Sequence, residues 1–289
     1  MATELNPDLN WDSDWPAPAK INLFLHVTGR RADGYHLLQT VFRFIDINDR
    51  LRFSPRTDDR IVLATGLPGT PAEQNLVVRA AVALRAATGI RKGVTIAIDK
   101  RLPMGGGLGG GSSDAATTLL ALNQLWEAGL SLHALQTIGL GLGADVPIFI
   151  YGHNAFAEGI GEQFTPIAIP SAWYLVLVPH LAVPTAAIFS DPALRRDTPT
   201  IRPADWRPGF GGNDLEAVAC RLYPEVERHL QWLGKCSNAR MTGSGACCFA
   251  EFDDEISARA VLSQLPAGMK GFVARGLDQH PLVQKPQQN

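Results

Sequence analysis

Between residues 105 and 111 the chain reads GGGLGGG, six glycines in seven positions, inside the longer stretch PMGGGLGGGSSDAA (103–116). Glycine loses more conformational freedom on folding than any other residue, so such a cluster persists only where the backbone needs something a Cβ forbids. Two needs fit: positive φ angles, and close approach of main-chain N–H groups to a ligand. The flanks decide between a cradle and a mere connection. VTIAIDK (94–100) alternates as a strand does, and SSDAATTLLALNQLW (112–126) opens with Ser and Asp and continues as an apolar helical stripe. A helix N-terminus offers unpaired N–H groups and the positive end of its dipole, and glycines ahead of it let the main chain wrap a phosphate. A flexible linker would not lead straight into a capped amphipathic helix. The stretch reads as a phosphate cradle for a nucleotide.

The common nucleotide motifs do not account for it. A P-loop needs lysine just before the serine, where Gly111 stands. The letters G-x-G-x-x-G occur at Gly105, Gly107 and Gly110, but KRLPM separates them from the strand, and no strand ending in an acidic ribose ligand follows the helix. A protein-kinase glycine loop would run into a strand and a V-A-I-K lysine, which are absent here.

With 289 residues, the chain suits one large domain or two interlocked ones. A net charge of −2 provides no global basic field for nucleic acid or an anionic membrane. The start, MATELNPDLNWDSDWP, lacks a basic-then-apolar signal pattern, and no apolar run approaches a membrane span, so a cytoplasmic protein is expected. Cys220, Cys236, Cys247 and Cys248 form no CxxC pair and no zinc spacing; reduced, mostly buried thiols are expected.

INLFLHV (21–27), LRFSP (from 51) and WYLVLVP read as strands, and NLVVRAAVALRAATG (75–89) as a helix capped by Asn75 and closed by Gly89. SLHALQTIGLGLG reads as a helix, ADVPIFI as a strand preceded by Asp145, and ARMTGSGACCFAEF as a strand, a Gly-Ser-Gly turn and a second strand. Residues 1–14 look like a loose extension and QHPLVQKPQQN like a frayed tail. Helices and strands mix without a steady βαβ rhythm, which favours α+β.

Lys20 and Asn22, in PAPAKINLFLHVTGRRADGYH, fall on one face of their strand, and Asp145 stands at an element end in GADVP. Together with PMGGGLGGGSS, ADGYH, FAEGIGE and MTGSGACCF, these stretches resemble the GHMP kinases, and within them the branch acting on a cytidine-diphosphate-linked methylerythritol; the resemblance runs from about residue 15 to 276. It implies a two-lobed α+β fold, with an N-terminal lobe of the ribosomal-protein type over 15–160 carrying the phosphate loop and an α/β C-terminal lobe over 161–289 completing the substrate site. It further implies ATP as co-substrate, magnesium with it, a small-molecule alcohol as acceptor, no nucleic-acid or membrane partner, and a monomer or homodimer.

By the same resemblance, Lys20 and Asp145 are the catalytic pair. Pro103, Met104, Gly105, Gly106, Gly107, Leu108, Gly109, Gly110, Gly111, Ser112 and Ser113, with Asn75 and Lys100, contact ATP. Asn22, Tyr35, His36, Thr185 and Phe189 hold the substrate, Tyr35 and Phe189 by stacking on its base. Plainer readings stand beside these: Lys20 as a solvated strand-end lysine, Asp145 as a helix cap or turn, Asn22 as a backbone-bonding turn residue, Tyr35 and Phe189 as core, and His36 as a surface histidine. The magnesium ligand is open among Ser112, Ser113 and Asp114. MTGSGACC either packs on the phosphate loop, its glycines allowing close approach, or is a hairpin turn with no ligand contact. Outside this family, the glycine letters leave a dinucleotide oxidoreductase as an enzymatic alternative. A nucleotide-binding protein without chemistry is the other; within the family, another small-molecule kinase is the alternative.

Overall fold

The computed structural model describes residues 5–64 and 71–283. Its organising element is a long β-hairpin, β1 (Trp15–Arg30) and β2 (His36–Arg56), paired antiparallel from Trp15 opposite Leu51 to Arg30 opposite His36. The apolar runs read as short strands at 21–27 and from 51 are therefore pieces of much longer ones. Lys20 lies within β1, not at its end. There follow β3 (Ile61–Leu63), α1 (Leu76–Thr88), β4 (Gly93–Asp99), α2 (Gly110–Leu125), α3 (Leu132–Leu140), α4 (Val146–Tyr151), β5 (Ala155–Glu158) and β6 (Gln163–Pro166). The remainder is β7 (Trp173–Leu177), α5 (Thr185–Ser190), α6 (Glu216–Leu222), α7 (Pro224–Leu233), β8 (Ala239–Met241), β9 (Cys248–Phe252), α8 (Glu255–Leu262) and β10 (Gly271–Leu277).

The second edge of β2 serves three partners in turn: β5 at Thr40–Phe42, β10 at Phe44 and Ile45, and β4 from Arg50 to Arg56. β10 then leaves β2 and pairs with β7 through residues 271–275, and β7 continues to β9 and β8. Among the named strands, only β3 with β4 is parallel. A single strand thus joins the early and late parts of the chain. Asn154 fastens that junction: its Oδ1 accepts from Phe44 N at 3.0 Å, and its Nδ2 donates to Leu277 O at 2.8 Å.

Local chemistry explains the helices that hold the phosphate loop. The side chain of Asn75 accepts from Val77 N and caps α1, and Gly89 at φ 72° closes it in the left-handed conformation. α2 is buried continuously over 113–122, where alanines and threonines between the leucines let it sit among other helices and strands on all sides. Its apolar neighbours, from Trp15 and Phe44 to Phe149 and Leu282, make one core with it.

ADVPIFI does not form a strand. Val146–Tyr151 is helical, with proline in its first turn and Gly152 (φ 79°) as C-cap. Tertiary burial overrides the β-branched preference there, since residues 146–150 are all buried. The described part of the N-terminal segment is tied down: Leu5 bridges to Val283, Asn6 N donates to Leu282 O, and Gln124 donates to Leu9 O. His280, in the C-terminal segment, is fully buried, and burial lowers its pKa to about 3, so it stays neutral. Residues 1–4 and 284–289, parts of the expected extension and tail, lie outside the described residues. The four cysteines are free; Cys247 and Cys248 are buried, with burial pushing Cys247 up to about 12, but Cys220 is half-buried and Cys236 exposed, against the expectation of buried thiols. No helix among the described residues is long and apolar enough to cross a membrane.

Replacing Asn154 with leucine leaves the Phe44 amide and the Leu277 carbonyl without partners inside the protein. Each orphaned group costs about 1–3 kcal/mol, so Asn154→Leu is expected to lose roughly 2–5 kcal/mol of stability. A urea midpoint unchanged from that of the parent protein would show that Asn154 does not secure the junction.

Candidate active site

The glycine loop lies where the sequence places it, between β4 and α2, but α2 begins two residues earlier than the serines suggest. Gly105, Gly107 and Gly109 have φ of 67°, 77° and 73°, a conformation that side chains other than glycine rarely adopt. The close approaches in the loop are made largely by the protein itself. A Cβ on Gly107 would fall 2.2 Å from the Thr242 carbonyl oxygen, one on Gly106 2.6 Å from Cys247 Sγ, and one on Gly109 2.9 Å from Phe149. Cys247 N also donates to Gly106 O at 3.1 Å. The Gly-Ser-Gly turn between β8 and β9 is therefore packed into the loop, as the first of the two sequence readings expects.

The loop walls a cavity of about 380 Å³ together with Asn75, Lys100 and Asp114. Of the residues expected to contact ATP, Ser113 alone lies outside this lining: it is fully buried in α2, while Ser112 faces the cavity. Lys100 Nζ is 2.5 Å from Asp49 Oδ2 and 2.7 Å from Asp114 Oδ2. Asp49 also accepts from the amides of Arg101 (2.6 Å) and Leu102 (2.7 Å), fixing where the loop departs from β4. Two carboxylates share one ammonium, and burial of Asp114 raises its pKa to about 7. Its second oxygen, Oδ1, is buried without a partner.

Ser112 also borders a second cavity of about 240 Å³, which holds Lys20, Asn22 and Asp145. Lys20 is only 2% exposed, so it is not a solvated strand-end lysine. Its Nζ lies 3.2 Å from Asp145 Oδ2, donates to Asn22 Oδ1 at 2.7 Å, and sits 5.4 Å from the Phe42 ring centroid. Asp145 occupies the cap position of α4, yet its side chain makes no capping bond and turns to Lys20. Asn22 is buried and bonds side chains, not a turn: its Nδ2 donates to Thr40 Oγ1 at 2.9 Å, and Thr40 donates to Phe24 O. Thr242 Oγ1 accepts from Asn22 N at 3.0 Å, which ties the hairpin under the loop to the lysine.

The second cavity shares Leu38, Ala144, Ile160, Thr185 and Phe189 with a third, of about 510 Å³, which Tyr35 and His36 enter. Tyr35 is 58% exposed and so is not a core residue. Phe189 is both: it packs against the buried cluster that includes Val27, Ile188 and Leu194 and lines the cavity, its ring 4.9 Å from that of His36 at 35°. Thr185 Oγ1 is 2.8 Å from Ser244 Oγ. Burial, then Arg196 and Arg30, lower the pKa of His36. Lys20, Asp145, the loop and the aromatic pair thus line one run of three cavities, arranged as an anion cradle, a carboxylate–ammonium pair and an aromatic wall.

Residues 75–153 match the GHMP kinases N terminal domain, and residues 202–271 match the GHMP kinases C terminal domain. The 4-diphosphocytidyl-2-C-methyl-D-erythritol kinase of Dechloromonas aromatica (strain RCB) is 62% identical over 270 residues, 93% of this chain and 98% of that protein. The chain belongs to the 4-diphosphocytidyl-2-C-methyl-D-erythritol kinases of the GHMP kinase family. The corresponding kinase of Thiobacillus denitrificans (strain ATCC 25259 / T1) is 60% identical over 268 residues, covering 93% and 96% of the two chains. A crystal structure of 4-(cytidine 5'-diphospho)-2C-methyl-D-erythritol kinase superposes with a TM-score of 0.78 at 35% identity, over 91% of this chain and 99% of that one. A mevalonate kinase at 16% identity and a TM-score of 0.66, over 92% and 99%, shares the fold.

Sequence reasoning missed Asp49, Thr242 and Arg196 around this kinase's cavities. Asp49 sits in the charged run IDINDR, and Arg196 in an irregular stretch, so neither carries a local signal; Thr242 lies within MTGSGACC, which was singled out for its glycines.

Because Gly107 meets the hairpin backbone, even Gly107→Ala must part loop and hairpin as well as strain φ. Left-handed backbone at a non-glycine costs on the order of 1–3 kcal/mol, so ATP affinity is expected to fall by about tenfold or more. Calorimetry giving the parent affinity in the folded variant would show that this packing does not shape the cradle.

Proposed function

We infer that the run of three cavities holds ATP, the reacting alcohol and the cytidine in that order. The kinase transfers the γ-phosphoryl group of ATP to the 2-hydroxyl of 4-diphosphocytidyl-2-C-methyl-D-erythritol, giving the 2-phosphate and ADP, a step of non-mevalonate isoprenoid precursor synthesis. One observation carries the spatial reading: the Lys20–Asp145 pair, at 3.2 Å, lines the cavity joined through Ser112 to the phosphate loop and through Phe189 to the aromatic wall.

Phosphoryl transfer needs alignment and charge stabilisation more than covalent help from the protein. Asp145 accepts the proton of the 2-hydroxyl as its oxygen bonds to the γ-phosphorus and the bond to the ADP oxygen breaks. Lys20, held by Asn22 and Asp145, places its ammonium against the oxygens on which negative charge gathers. The loop amides and the start of α2 bind the phosphates. Tyr35 and Phe189 stack on the base, and Thr185 flanks the acceptor.

Magnesium suits the polar wall of the phosphate cavity. Ser112 presents a hydroxyl between two cavities, and Asp114 Oδ1 is a buried acceptor without a partner. A hard cation of this kind takes one or two protein oxygens along with nucleotide phosphates. When bound, it supplies charge neutralisation between the phosphates.

Asp145→Asn keeps the shape of the side chain and removes the proton acceptor, so kcat should fall about 10²–10⁴-fold. Lys20→Met should lose a comparable factor, and the double variant should be little worse than either, because groups acting as a unit are not additive. Multiplicative losses would separate the two residues' roles. In an ADP-release assay, the cytidine diphosphate substrate should support turnover, whereas galactose, homoserine and mevalonate should not; equal turnover of one of these would overturn the substrate reading.

A further inference from the structure

Behind the aromatic wall stands a cation absent from the scheme above. Arg196 donates from Nε to His36 Nε2 at 3.0 Å. Its remaining nitrogens are committed to backbone carbonyls of the same segment: Nη1 donates to Leu194 O at 2.9 Å, and Nη2 to Phe189 O at 3.0 Å and Asp191 O at 2.7 Å. The guanidinium is therefore held in place by three carbonyls, one of them from Phe189 itself.

A guanidinium has only donors and never loses its proton in a protein. Whatever accepts from it must offer a lone pair, so Nε2 of His36 is unprotonated. A neutral imidazole then carries its hydrogen on Nδ1, and an imidazolium, with no free lone pair, cannot make this bond at all. Burial and the positive charges of Arg196 and Arg30 favour the same neutral state. Among the described residues no protein group pairs with Nδ1, and His36 lines the cavity of about 510 Å³. The Phe189 ring, 4.9 Å away, limits rotation of the imidazole.

We propose that Arg196 is a positioning residue for base recognition: by donating to His36 Nε2 it fixes the imidazole as the Nδ1–H tautomer, so that the cavity offers a donor to the bare ring nitrogen N3 of cytosine. The proposal rests on the third cavity being the cytidine site. It gives a direction to the selectivity: an N–H donor pairs with the bare N3 of cytosine and opposes the N3–H of uracil. With the other tautomer, the site would present a lone pair to that edge.

Long-range proton–nitrogen NMR of the full chain with labelled histidine, at neutral pH, reads the tautomer directly. In the parent enzyme His36 should bear its proton on Nδ1 alone. Arg196→Met should yield a mixture of tautomers and raise KM for the cytidine diphosphate substrate about three- to tenfold, the worth of one hydrogen bond, with a smaller change in kcat and none in KM for ATP. Arg196→Lys, still a donor without an acceptor, should restore part of the loss. His36→Phe keeps a ring beside Phe189 and isolates the pathway: on that background Arg196→Met should add little.

An active parent enzyme whose His36 carries its proton on Nε2, or on both nitrogens, overturns the proposal. So does an Arg196→Met defect as large in the His36→Phe background as alone, because the arginine would then act through the carbonyls of 189–194. A parent enzyme that does not phosphorylate the cytidine diphosphate alcohol removes the functional reading and the proposal together, which separates that failure from the first two.

Discussion

Lys20 is a long cationic side chain with 2% of its surface exposed, and its burial organises the site. Removing an ammonium from water costs on the order of several kcal/mol unless fixed partners replace the solvent. Here those partners are Asn22 at 2.7 Å and Asp145 at 3.2 Å, and each comes with its own supports. Asn22 is held by Thr40 and Thr242, and Thr242 belongs to the hairpin under the glycine loop. Lys20 N donates to Leu108 O, so the same residue anchors the loop through its backbone. The glycine loop and the Lys20–Asp145 pair are thus one connected structure, and a disturbance in either reaches the other.

That connection changes what the glycines mean. Six glycines before a helix suggest a backbone made bare for a phosphate, and the alternating positive φ values agree with it. The nearest obstacles to a side chain, however, are Thr242, Cys247, Ala182 and Phe149. The loop is thin because protein packs against it from behind, and this holds its amides in one arrangement before any ligand arrives. Preorganised donors cost no rearrangement when charge develops, which is where electrostatic catalysis gains most.

The legible parts of the chain were those whose chemistry is local. Asn75 capping α1, Gly89 closing it and the strand–loop–helix order around Gly105–Gly111 follow from neighbouring residues alone. VPIFI looked like a strand because β-branched and aromatic residues suit strands; that it is a helix depends on what buries it. The burial of Lys20 was not legible, and a solvated lysine stayed open beside the catalytic reading, because nothing in AKIN reveals that Asn22, Asp145 and Leu108 converge on it, the last two from more than eighty residues away. For Tyr35 the plainer alternative of a core aromatic fails, because the side chain is held out by the ADGYH turn, where Tyr35 N donates to Asp33. Arg196 and Asp49 act through side-chain bonds to distant partners, and a single sequence has no periodicity or spacing that records such bonds.

The charges of the phosphate cavity show how the burden of binding a polyanion is divided. Lys100 is the one cationic side chain among the described residues lining it, and two buried carboxylates already engage that ammonium. The Lys100–Asp49–Asp114 cluster therefore adds no net positive field to the cavity; burial raises the proton affinity of Asp114. If the cavity holds ATP as proposed, attraction comes from the aligned amides of the loop and the first turn of α2, whose partial charges are fixed by the fold. On the proposed reading, neutralising the rest falls to a cation that arrives with the nucleotide, and to Lys20 at the far end, where the phosphoryl group meets its acceptor. On that reading Lys100 orients and Lys20 attracts, two lysines set apart by how each is already paired: two carboxylates on Lys100, one carboxylate and one amide on Lys20.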